Sequence, residues 1–374
     1  MDRNVIRGLI SNIESLYPDL HGELMVAING QSVFHKAYNC QAHLYPIYLG
    51  MNYLIGSVTK QFTAAAILKI LSKQGQLQLL HNPIVNLGLT ESLPAWAQQV
   101  TIDHLLSHRS GIKKINELQL SDQLESEPGQ AFNYQNASYL LLGRIIEHLS
   151  GQTLSDYFRT ELFEAAKMTN TVLPESGDAA DLKNTMPELA LGFEFSALDA
   201  RLTDASIDFS VLGAAGGIVS NTKDLVQWNQ ALFSGQILPD DALKLMLTGY
   251  GEKPAFPLYD GVIKHIHYGY GIESIDLGSK LYHQHCGSVP GYVSRLAHLS
   301  EFNIDIVHLS NAIHNNAEIV QKITSIAQQE GCNHDEAKAI LDKRFDAWEQ
   351  NLEPKYGMFA MVNAFIRKVY HGSF

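Results

Sequence analysis

The stretch Tyr53-Leu54-Ile55-Gly56-Ser57-Val58-Thr59-Lys60 leads directly into an apolar segment, residues 61–71, and a glycine follows at position 75. The apolar pattern and the terminal glycine predict a helix that begins near Ser57. Ser57 falls in the first turn, where free backbone N–H groups and the positive helix end favour a developing negative charge. Lys60 follows three residues later on the same face. The stretch therefore predicts a serine and a lysine side by side at the start of a helix.

This pairing suits nucleophilic catalysis. A serine hydroxyl attacks a carbonyl group only when a neighbouring base takes its proton. A lysine serves as that base when burial or a nearby positive charge disfavours its ammonium form. Apolar residues lie on nearly all sides of the helix over residues 64–68, which predicts that the helix is buried. Ser57 and Lys60 are thus expected to share a sheltered site.

A second Ser-x-x-Lys pattern, Ser220-Asn221-Thr222-Lys223, shows that the pattern alone is weak evidence. About one such pair is expected by composition in a chain of this length. The second copy opens a predicted helix after a Gly-Gly turn, so Ser220 or Asn221 is interpreted as its N-cap. Asp224 then completes an Asn-x-x-Asp capping box. We interpret this copy as structural.

The composition sets broad limits on the class of protein. The chain has 374 residues, which suits two domains, and its 45% hydrophobic and 18% charged residues indicate a large core. A formal net charge of −12 argues against a nucleic-acid partner and against binding to an anionic membrane. The composition therefore predicts a globular protein without a nucleic-acid partner.

Cysteine usage and the N-terminus bear on the cellular compartment. Cys40, Cys286 and Cys332 are odd in number and form no C-x-x-C pair, so a disulfide framework is not expected. The first residues contain no apolar signal-peptide core, and no 18-residue apolar run occurs, so no transmembrane segment is expected. The sequence as it stands predicts a cytoplasmic protein, or a periplasmic or secreted one if a signal peptide has been removed.

The order of patterns along the chain predicts a sheet assembled from both chain ends. An Asn29-Gly30 turn joins two strand-like runs near the N-terminus, which is a strong hairpin signal. The predicted strands are 23–28, 32–38, 262–268, 269–275, 280–285, 293–299 and 304–309, and the predicted helices include 4–17, 318–327 and a segment over 335–370 that is split at Pro354. We expect an α/β sheet domain over 1–76 and 213–331, a helical domain over 77–212 and a C-terminal helical extension over 332–374.

The C-terminal extension carries an apolar face with two interpretations. In the first interpretation the face serves self-association or docking. In the second it packs on its own domain. Its apolar residues are Met358, Phe359, Met361, Val362, Phe365 and Ile366.

With these patterns in place, the chain resembles the serine β-lactamase and penicillin-binding-protein-like family, most closely its class C branch with the related esterases and D-aminopeptidases. Three motifs carry the resemblance, in the family's order, and further stretches support it. The motifs are Ser57-Val58-Thr59-Lys60, Tyr134-Gln135-Asn136 and His285-Cys286-Gly287. The supporting stretches are Leu105-Leu106-Ser107-His108-Arg109-Ser110-Gly111, Gly213-Ala214-Ala215-Gly216-Gly217, Tyr268-Gly269-Tyr270-Gly271 and Gly287-Ser288-Val289-Pro290-Gly291-Tyr292.

The resemblance implies an α+β fold of the β-lactamase/transpeptidase type, in which an antiparallel sheet flanked by helices lies beside an all-helical region. It implies that Ser57 is the acylated nucleophile and that Lys60 and Tyr134 share the general base and acid roles. Asn136 is expected to hold Lys60 and a substrate oxygen. The backbone N–H groups of Ser57 and Ser288 are expected to form the oxyanion hole. No metal ion and no cofactor are implied.

The third motif departs from the Lys-Thr-Gly of many true β-lactamases. Here it reads His285-Cys286-Gly287, a form that the resemblance associates with esterases and peptidases. We place His285 and Gly287 in the substrate-binding site. The loss of a permanent positive charge weakens the case for a substrate carboxylate of the penicillin kind. Cys286 alternates away from His285 along the strand and is expected to be buried on the far face.

Loop length suggests how open the cleft is. A short stretch separates Ser110-Gly111 from Pro128-Gly129, so one lid over the site is expected to be reduced. An open site favours bulky substrates.

Two rival classes compete with this interpretation. The pairs His265-x-His267 and His283-x-His285 each place two rings on one strand face, as a metal-dependent hydrolase requires, but no H-E-x-x-H signature accompanies them. A non-catalytic binding or scaffold member of the fold is the second rival. The favoured function is a serine hydrolase that acts on carboxylic esters or D-residue peptides through an acyl-enzyme on Ser57. Hydrolysis of β-lactams is the alternative.

Overall fold

A computed structural model of the chain describes residues 3–14, 20–39, 46–89, 93–195, 202–204, 207–253, 266–276, 280–314 and 354–371. The strands are β1 (His21–Ile28), β2 (Gln31–Asn39), β3 (Tyr53–Leu54), β4 (Ile112–Asn116), β5 (Gln119–Leu124), β6 (Phe193–Phe195), β7 (Leu202–Asp204), β8 (Val219–Ser220), β9 (Gly251–Lys253), β10 (Ile266–Tyr268), β11 (Glu273–Asp276), β12 (Leu281–Val289), β13 (Tyr292–Leu299), β14 (Ile304–Ser310) and β15 (Ala312–His314). The α-helices are α1 (Arg3–Glu14), α2 (Thr59–Lys73), α3 (Ile102–Leu106), α4 (Asn136–Ser150), α5 (Leu154–Tyr157), α6 (Ala179–Thr185), α7 (Gly213–Gly216), α8 (Thr222–Phe233), α9 (Asp240–Leu247) and α10 (Pro354–His371). Short 3-10 turns lie at Gly56–Val58, Leu77–His81, Ile84–Leu87, Ala95–Gln98 and Phe209–Val211, and a π-helical turn at Phe158–Phe163.

The central feature is one antiparallel sheet in the order β2-β1-β14-β13-β12-β11-β10-β9 among the described residues. Strand β1 pairs with both β2 and β14, so the first and the late strands lie side by side and the predicted assembly from both chain ends is confirmed. Asn29 and Gly30 have positive φ values of 49° and 72°, as a tight hairpin turn requires, which confirms the predicted β1–β2 hairpin.

Helices cover both faces of this sheet. Helices α1 and α10 pack against one face, and the apolar residues of α10 are buried there against α1 and the sheet. They include Met358, Met361, Val362, Phe365 and Ile366. The extension therefore packs on its own chain, which is the second of its two interpretations. The side chain of Phe359 lies outside the described residues.

On the other face of the sheet, α2 runs through the largest hydrophobic cluster of the described chain. Its residues are buried continuously from Thr59 to Leu68, as its all-round apolar pattern predicts. Phe62 stacks on Trp228 of α8 with a ring-centroid distance of 3.9 Å. This helix joins the sheet to the helical region, and Ser57 stands in the turn just before its N-terminal end.

The region predicted to be mostly helical also contains strands. Between α3 and α4 the chain forms the β4–β5 hairpin, and β6 and β7 follow later. In β4, only Ile112 is buried and the other residues are exposed. In β5, Leu120 and Leu124 are half-buried against the core. A hairpin with so few buried residues leaves no clear alternating apolar pattern, so the sequence did not reveal it.

Some predictions fall outside the described residues. The predicted helix over 318–327 and the first part of the C-terminal extension, 335–353, belong to these, as do residues 262–265 of the predicted strand that contains β10. The boundaries of the predicted domains remain predictions. Among the described helices, none combines the length and apolarity needed to cross a bilayer.

Candidate active site

Ser57 stands in the 3-10 turn Gly56–Val58 that leads into α2, as predicted. The turn is fastened to the sheet, because Ser294 Oγ on β13 donates a hydrogen bond to the Ile55 carbonyl at 2.6 Å. Gly56 adopts φ 51°, and a Cβ atom there would lie 3.1 Å from the Ser288 nitrogen. Glycine is therefore required by both conformation and space. The turn that carries Ser57 consequently lies directly against the backbone N–H of Ser288.

Gly287 allows the strand to approach this turn. A Cβ atom on Gly287 would overlap the carbonyl oxygen of Ile55 and the hydroxyl of Ser294. Strand β12 thus packs against the Ser57 turn along its backbone, without an intervening side chain. Ser288, expected to contribute to the oxyanion hole, follows one residue beyond this contact, and its role stays a prediction.

Lys60 is fully buried one turn above Ser57. Its Nζ lies 3.0 Å from Ser57 Oγ, 2.8 Å from Asn136 Oδ1 and 2.7 Å from the carbonyl oxygen of Ala215. Ala215 belongs to α7, which packs against α2 and α4. Three elements distant in sequence therefore meet at this amine.

Asn136 is the first residue of α4, and Gln135 occupies the N-cap position without a side-chain capping bond. Asn136 is therefore not the N-cap of α4. Because its side chain is not used for capping, the amide oxygen accepts a hydrogen bond from Lys60 instead.

Tyr134 lies half-buried two residues before Asn136, and its hydroxyl forms a hydrogen bond with Ser57. Burial raises the pKa of Tyr134 well above its usual value, and the hydrogen bond to Ser57 opposes this shift in part. The nearby Glu273, Cys286 and Glu117 raise the pKa further. Tyr134 is therefore a protonated phenol at neutral pH, with its ring centroid 5.0 Å from Lys60 Nζ.

His285 is buried, with 2% of its surface exposed, and its ring centroid lies 6.5 Å from that of Tyr134. Its Nδ1 lies 2.7 Å from the carbonyl oxygen of Cys286, which can only accept, so Nδ1 carries a proton. Its Nε2 lies 2.9 Å from the hydroxyl of Tyr268. Burial raises the pKa of Tyr268, so its hydroxyl is protonated and can donate to Nε2. These contacts favour a neutral imidazole, in contrast to the lysine of the Lys-Thr-Gly motif.

Cys286 was expected to be buried, and this prediction is wrong, because the side chain is half-buried. It pairs in register with the buried Arg295 of β13. Cys286 lies near the end of β12, where Ser288 is exposed, and the cover over the strand is incomplete there.

The histidines of the metal hypothesis have separate partners. His283 Nδ1 lies 3.0 Å from Ser274 Oγ, and its ring stacks on Phe233 at 5.6 Å, whereas His285 contacts Tyr268. Residue 265 lies outside the described part of the chain. Within that part, no group of three or more histidine, cysteine or acidic side chains is arranged to hold a metal ion.

The second Ser-x-x-Lys copy has the structural role that was predicted. Asn221 caps α8 by accepting from the backbone N–H of Asp224 at 2.9 Å. Ser220 is buried, and its hydroxyl pairs with Thr171 Oγ1 at 2.8 Å. The Asp224 carboxylate accepts hydrogen bonds from Asn170 N–H and Thr171 Oγ1. It is used there and not in the reciprocal bond of the predicted capping box.

The stretch between Gly111 and Pro128, which was expected to be a reduced lid, forms the β4–β5 hairpin. Glu117 at its tip is close enough to raise the pKa of Tyr134. The open-cleft hypothesis stays a prediction.

One residue of this neighbourhood was given no role by the sequence. The ring of His108 lies 4.2 Å, centroid to centroid, from that of Tyr134. The signal was present in the stretch Leu105 to Gly111, which the family resemblance marked without assigning a task to any of its residues.

The chain is similar to known proteins in both sequence and fold. The model of the Beta-lactamase family matches residues 17–330. PbpX of Bacillus subtilis (strain 168), named as a penicillin-binding protein, is 26% identical over 329 residues, which cover 83% of this chain and 75% of PbpX. The structure of D-amino acid amidase from Ochrobactrum anthropi SV3 in complex with L-phenylalanine amide gives a TM-score of 0.71 at 21% identity and covers 99% of both chains. The structure of the octameric penicillin-binding protein homologue from Pyrococcus abyssi gives a TM-score of 0.69 at 23% identity. This alignment covers 90% of this chain and 79% of the Pyrococcus chain.

The structural likenesses confirm the α+β fold of the β-lactamase/transpeptidase type, with its antiparallel sheet flanked by helices. The family match spans most of the chain and includes all three motifs. The protein therefore belongs to the Beta-lactamase family of serine hydrolases.

Proposed function

We propose that the protein hydrolyses carboxylic esters or peptides that end in D-residues, through an acyl-enzyme on Ser57. The observation that carries this proposal is the placement of Lys60 Nζ, 3.0 Å from Ser57 Oγ in a fully buried position. Nucleophilic serines need a base at this distance.

The partners of Lys60 orient its lone pair. The oxygen atoms of Asn136 and Ala215 can only accept hydrogen bonds, so they take two N–H groups of the lysine. In the neutral amine, the remaining position towards Ser57 then holds the lone pair. This arrangement favours removal of the Ser57 proton by Lys60 as the hydroxyl attacks a carbonyl carbon.

Tyr134 supplies a path for that proton. Because its pKa is raised, Tyr134 acts as a neutral hydroxyl and not as a tyrosinate base. It hydrogen-bonds Ser57 and passes the proton from the Lys60 ammonium to the leaving oxygen or nitrogen when the tetrahedral intermediate collapses. The N–H groups of Ser57 and Ser288 hold the oxyanion of that intermediate.

Deacylation repeats these steps with water. Water loses a proton to Lys60 and attacks the acyl carbon, and the bond from that carbon to Ser57 Oγ breaks. Ser57 regains a proton, and the carboxylic acid product leaves. The same groups therefore serve both halves of the reaction.

The third motif supports the choice of substrate. The neutral, hydrogen-bonded His285 offers no permanent charge for a substrate carboxylate. Esters and amides without a free carboxylate fit such a site, so the neutral His285 favours esters over peptides with a free C-terminal D-residue. The D-amino acid amidase of Ochrobactrum anthropi, which aligns over almost the whole chain, supports inclusion of substrates with D-residues.

Hydrolysis of β-lactams is the second candidate. The relatives named as penicillin-binding proteins favour it, since penicillin recognition by those proteins uses a serine of this kind of site. A non-catalytic scaffold role is the third candidate, and the complete set of Ser57, Lys60 and Tyr134 weighs against it.

We propose that the C-terminal helix α10 packs on its own domain and does not bind a partner chain. The Pyrococcus abyssi protein is described as octameric. In this chain, however, the apolar residues of α10 are already buried against α1 and the sheet. Self-association, if it occurs, uses another face.

The deciding experiment follows the intact mass of the protein after it is mixed with p-nitrophenyl butyrate, with a D-alanyl-D-alanine peptide or with benzylpenicillin. We expect acylation and turnover of the ester or the peptide, and their loss in Ser57→Ala. Ser220→Ala is the matched control, because it removes the other Ser-x-x-Lys serine at a cost of about 1 kcal/mol for one buried hydrogen bond. Turnover of penicillin alone supports the lactamase alternative. Absence of any adduct in the wild-type protein, or full activity of Ser57→Ala, contradicts the proposal.

A further inference from the structure

We propose that His108 is a positioning residue that sets the place of Tyr134 beside Ser57. This inference rests on the proposed function, because it concerns the alignment of the Tyr134 hydroxyl. It assigns a task to a side chain that lies next to the catalytic groups without contacting the reacting atoms.

The backbone on both sides of Tyr134 is tied to His108. The N–H of Asn133 donates to the His108 carbonyl at 2.8 Å, and the N–H of Gln135 donates to His108 Nδ1 at 3.2 Å. One residue therefore accepts hydrogen bonds from the two neighbours of Tyr134. This clamp fixes the peptide planes that aim the tyrosine side chain.

The ring of His108 completes the clamp. It is buried, with 1% of its surface exposed, and its centroid lies 4.2 Å from that of Tyr134. Tyr139 and Tyr268 contact other sides of the ring, each at a centroid distance of 5.0 Å. Since Tyr268 also bonds His285, the ring is wedged between the second and third motifs. Tyr134 thus packs against a side chain that is itself held from several directions.

The conformation of His108 explains how it reaches this position. It follows α3 and adopts φ 56°, a left-handed conformation that histidine and asparagine tolerate better than most residues. The neighbouring N–H of Arg109 donates to the His104 carbonyl at 2.8 Å, and the Arg109 carbonyl accepts from Gly129 at 2.7 Å. The chain reversal after α3 is therefore held from both sides, and it turns the imidazole back towards Tyr134.

The choice of variants follows from this conformation. His108→Gly removes the whole side chain without a penalty from the positive φ. His108→Asn also tolerates that φ, and its Oδ1 occupies nearly the position of Nδ1, so it keeps the acceptor for Gln135. The two variants differ chiefly in this acceptor.

We expect His108→Gly to lower kcat for p-nitrophenyl butyrate by about 100-fold with KM changed less than about 3-fold, because misplacement of a catalytic group by about 1 Å has effects of this size. His108→Asn should recover kcat to within about 10-fold of the wild type. Hydrogen exchange of the peptide spanning residues 130–137 should rise in the glycine variant and stay slow in the asparagine variant. Leu105→Ala is the control for lost stability, since the Leu105 side chain is buried in α3 and the substitution keeps its carbonyl, which accepts from the His108 N–H at 3.3 Å.

A wild-type kcat in His108→Gly overturns the inference, as does an equal loss in Leu105→Ala and His108→Gly. If the glycine variant does not fold, His108→Ser replaces it, because the serine hydroxyl is too short to reach the Gln135 N–H. If the wild-type protein hydrolyses no substrate, the proposed function fails. Hydrogen exchange then still decides whether His108 holds the Tyr134 segment.

Discussion

The amide oxygen of Asn136 accepts a hydrogen bond from Lys60 Nζ at 2.8 Å, which joins the first residue of α4 to the buried amine of α2. The bond crosses between two helices that are far apart in sequence. Its acceptor is neutral, so it orients Lys60 without adding a negative charge that would hold the lysine as an ammonium ion. A neutral oriented amine is what the proposed general-base role requires.

Asn136→Asp tests this requirement, since it keeps the acceptor and the shape but adds a charge. The carboxylate is expected to stabilise the ammonium form of Lys60, so kcat/KM for p-nitrophenyl butyrate at pH 7 should fall by about 100-fold or more, the usual contribution of a general base. Part of the activity should return as the pH is raised. Asn136→Ala, which removes the acceptor, should lose activity without this alkaline recovery. An aspartate variant with wild-type kcat/KM across the pH range contradicts the role assigned to Asn136.

Gly287→Ala tests the close contact between β12 and the Ser57 turn. The added methyl group would overlap the Ile55 carbonyl and the Ser294 hydroxyl, so the strand must shift away from the turn. We expect a loss of stability of about 1–3 kcal/mol, as for other overpacked sites, and a fall in kcat as Ser288 moves away from Ser57. Gly8→Ala is the control, because nothing lies within 4 Å of its Cβ position in α1. Unchanged urea unfolding and kcat in Gly287→Ala would show that the contact is unimportant.

Local patterns explain why part of this site could be predicted from the sequence. Ser57 and Lys60 lie three residues apart on one helix, so their proximity follows from helix geometry alone. The Asn29-Gly30 hairpin is equally local, and the structure confirms it. The resemblance to a known family then supplied Tyr134 and Asn136, which no short-range rule connects to Ser57.

The features of the site that could not be predicted from the sequence are contacts between segments that only folding brings together. The Ala215 carbonyl meets Lys60, and the Ser294 hydroxyl fastens the Ser57 turn, through pairings between distant segments. The role of His108 depends on a left-handed backbone conformation that the sequence does not announce. The β4–β5 hairpin is mostly exposed or half-buried, so its sequence shows no clear hydrophobic period.

The lowered pKa values of two histidines predict how the free energy of unfolding depends on pH. Burial lowers the pKa of His308 to about 3, and burial together with His298 lowers that of His283 to about 4. In the unfolded chain a histidine titrates near pH 6.5, so the unfolded state takes up protons first as the pH falls. Stability is therefore complete above about pH 6.5 and is lost from there down to about pH 4 for His283 and pH 3 for His308.

Urea unfolding between pH 7 and 5 measures this loss. Each such histidine contributes a slope of at most about 1.4 kcal/mol per pH unit. His308→Gln should flatten the slope by up to that amount, whatever it does to stability at pH 7. Equal slopes for the variant and the wild-type protein would contradict the buried neutral state of His308.

A buried arginine gives the C-terminal helix a structural task. Arg295 on β13 is fully buried, and its guanidinium donates to Gln284 Oε1 at 2.9 Å and to Asn363 Oδ1 of α10 at 2.8 Å. Gln284 lies on β12, one residue before His285, and its amide also donates to the Glu273 carboxylate at 3.0 Å. Helix α10 thus helps to satisfy a cation that holds the strand carrying the third motif.

Asn363→Leu should therefore destabilise the protein by about 1.5–3 kcal/mol, the range for a lost hydrogen bond to a buried charged group. The double variant Arg295→Met with Asn363→Leu should lose less than the sum of the two single changes, because the cation that needs the acceptor is gone. Lys368→Ala on the same helix is the control and should stay within about 0.5 kcal/mol of the wild type. Urea unfolding compares the two single variants, the double variant and the control with the wild-type protein, and light scattering follows their oligomeric state. Strict additivity of the single changes would rule out the Arg295–Asn363 coupling. A change of oligomeric state in Asn363→Leu without loss of stability would restore the self-association interpretation of α10.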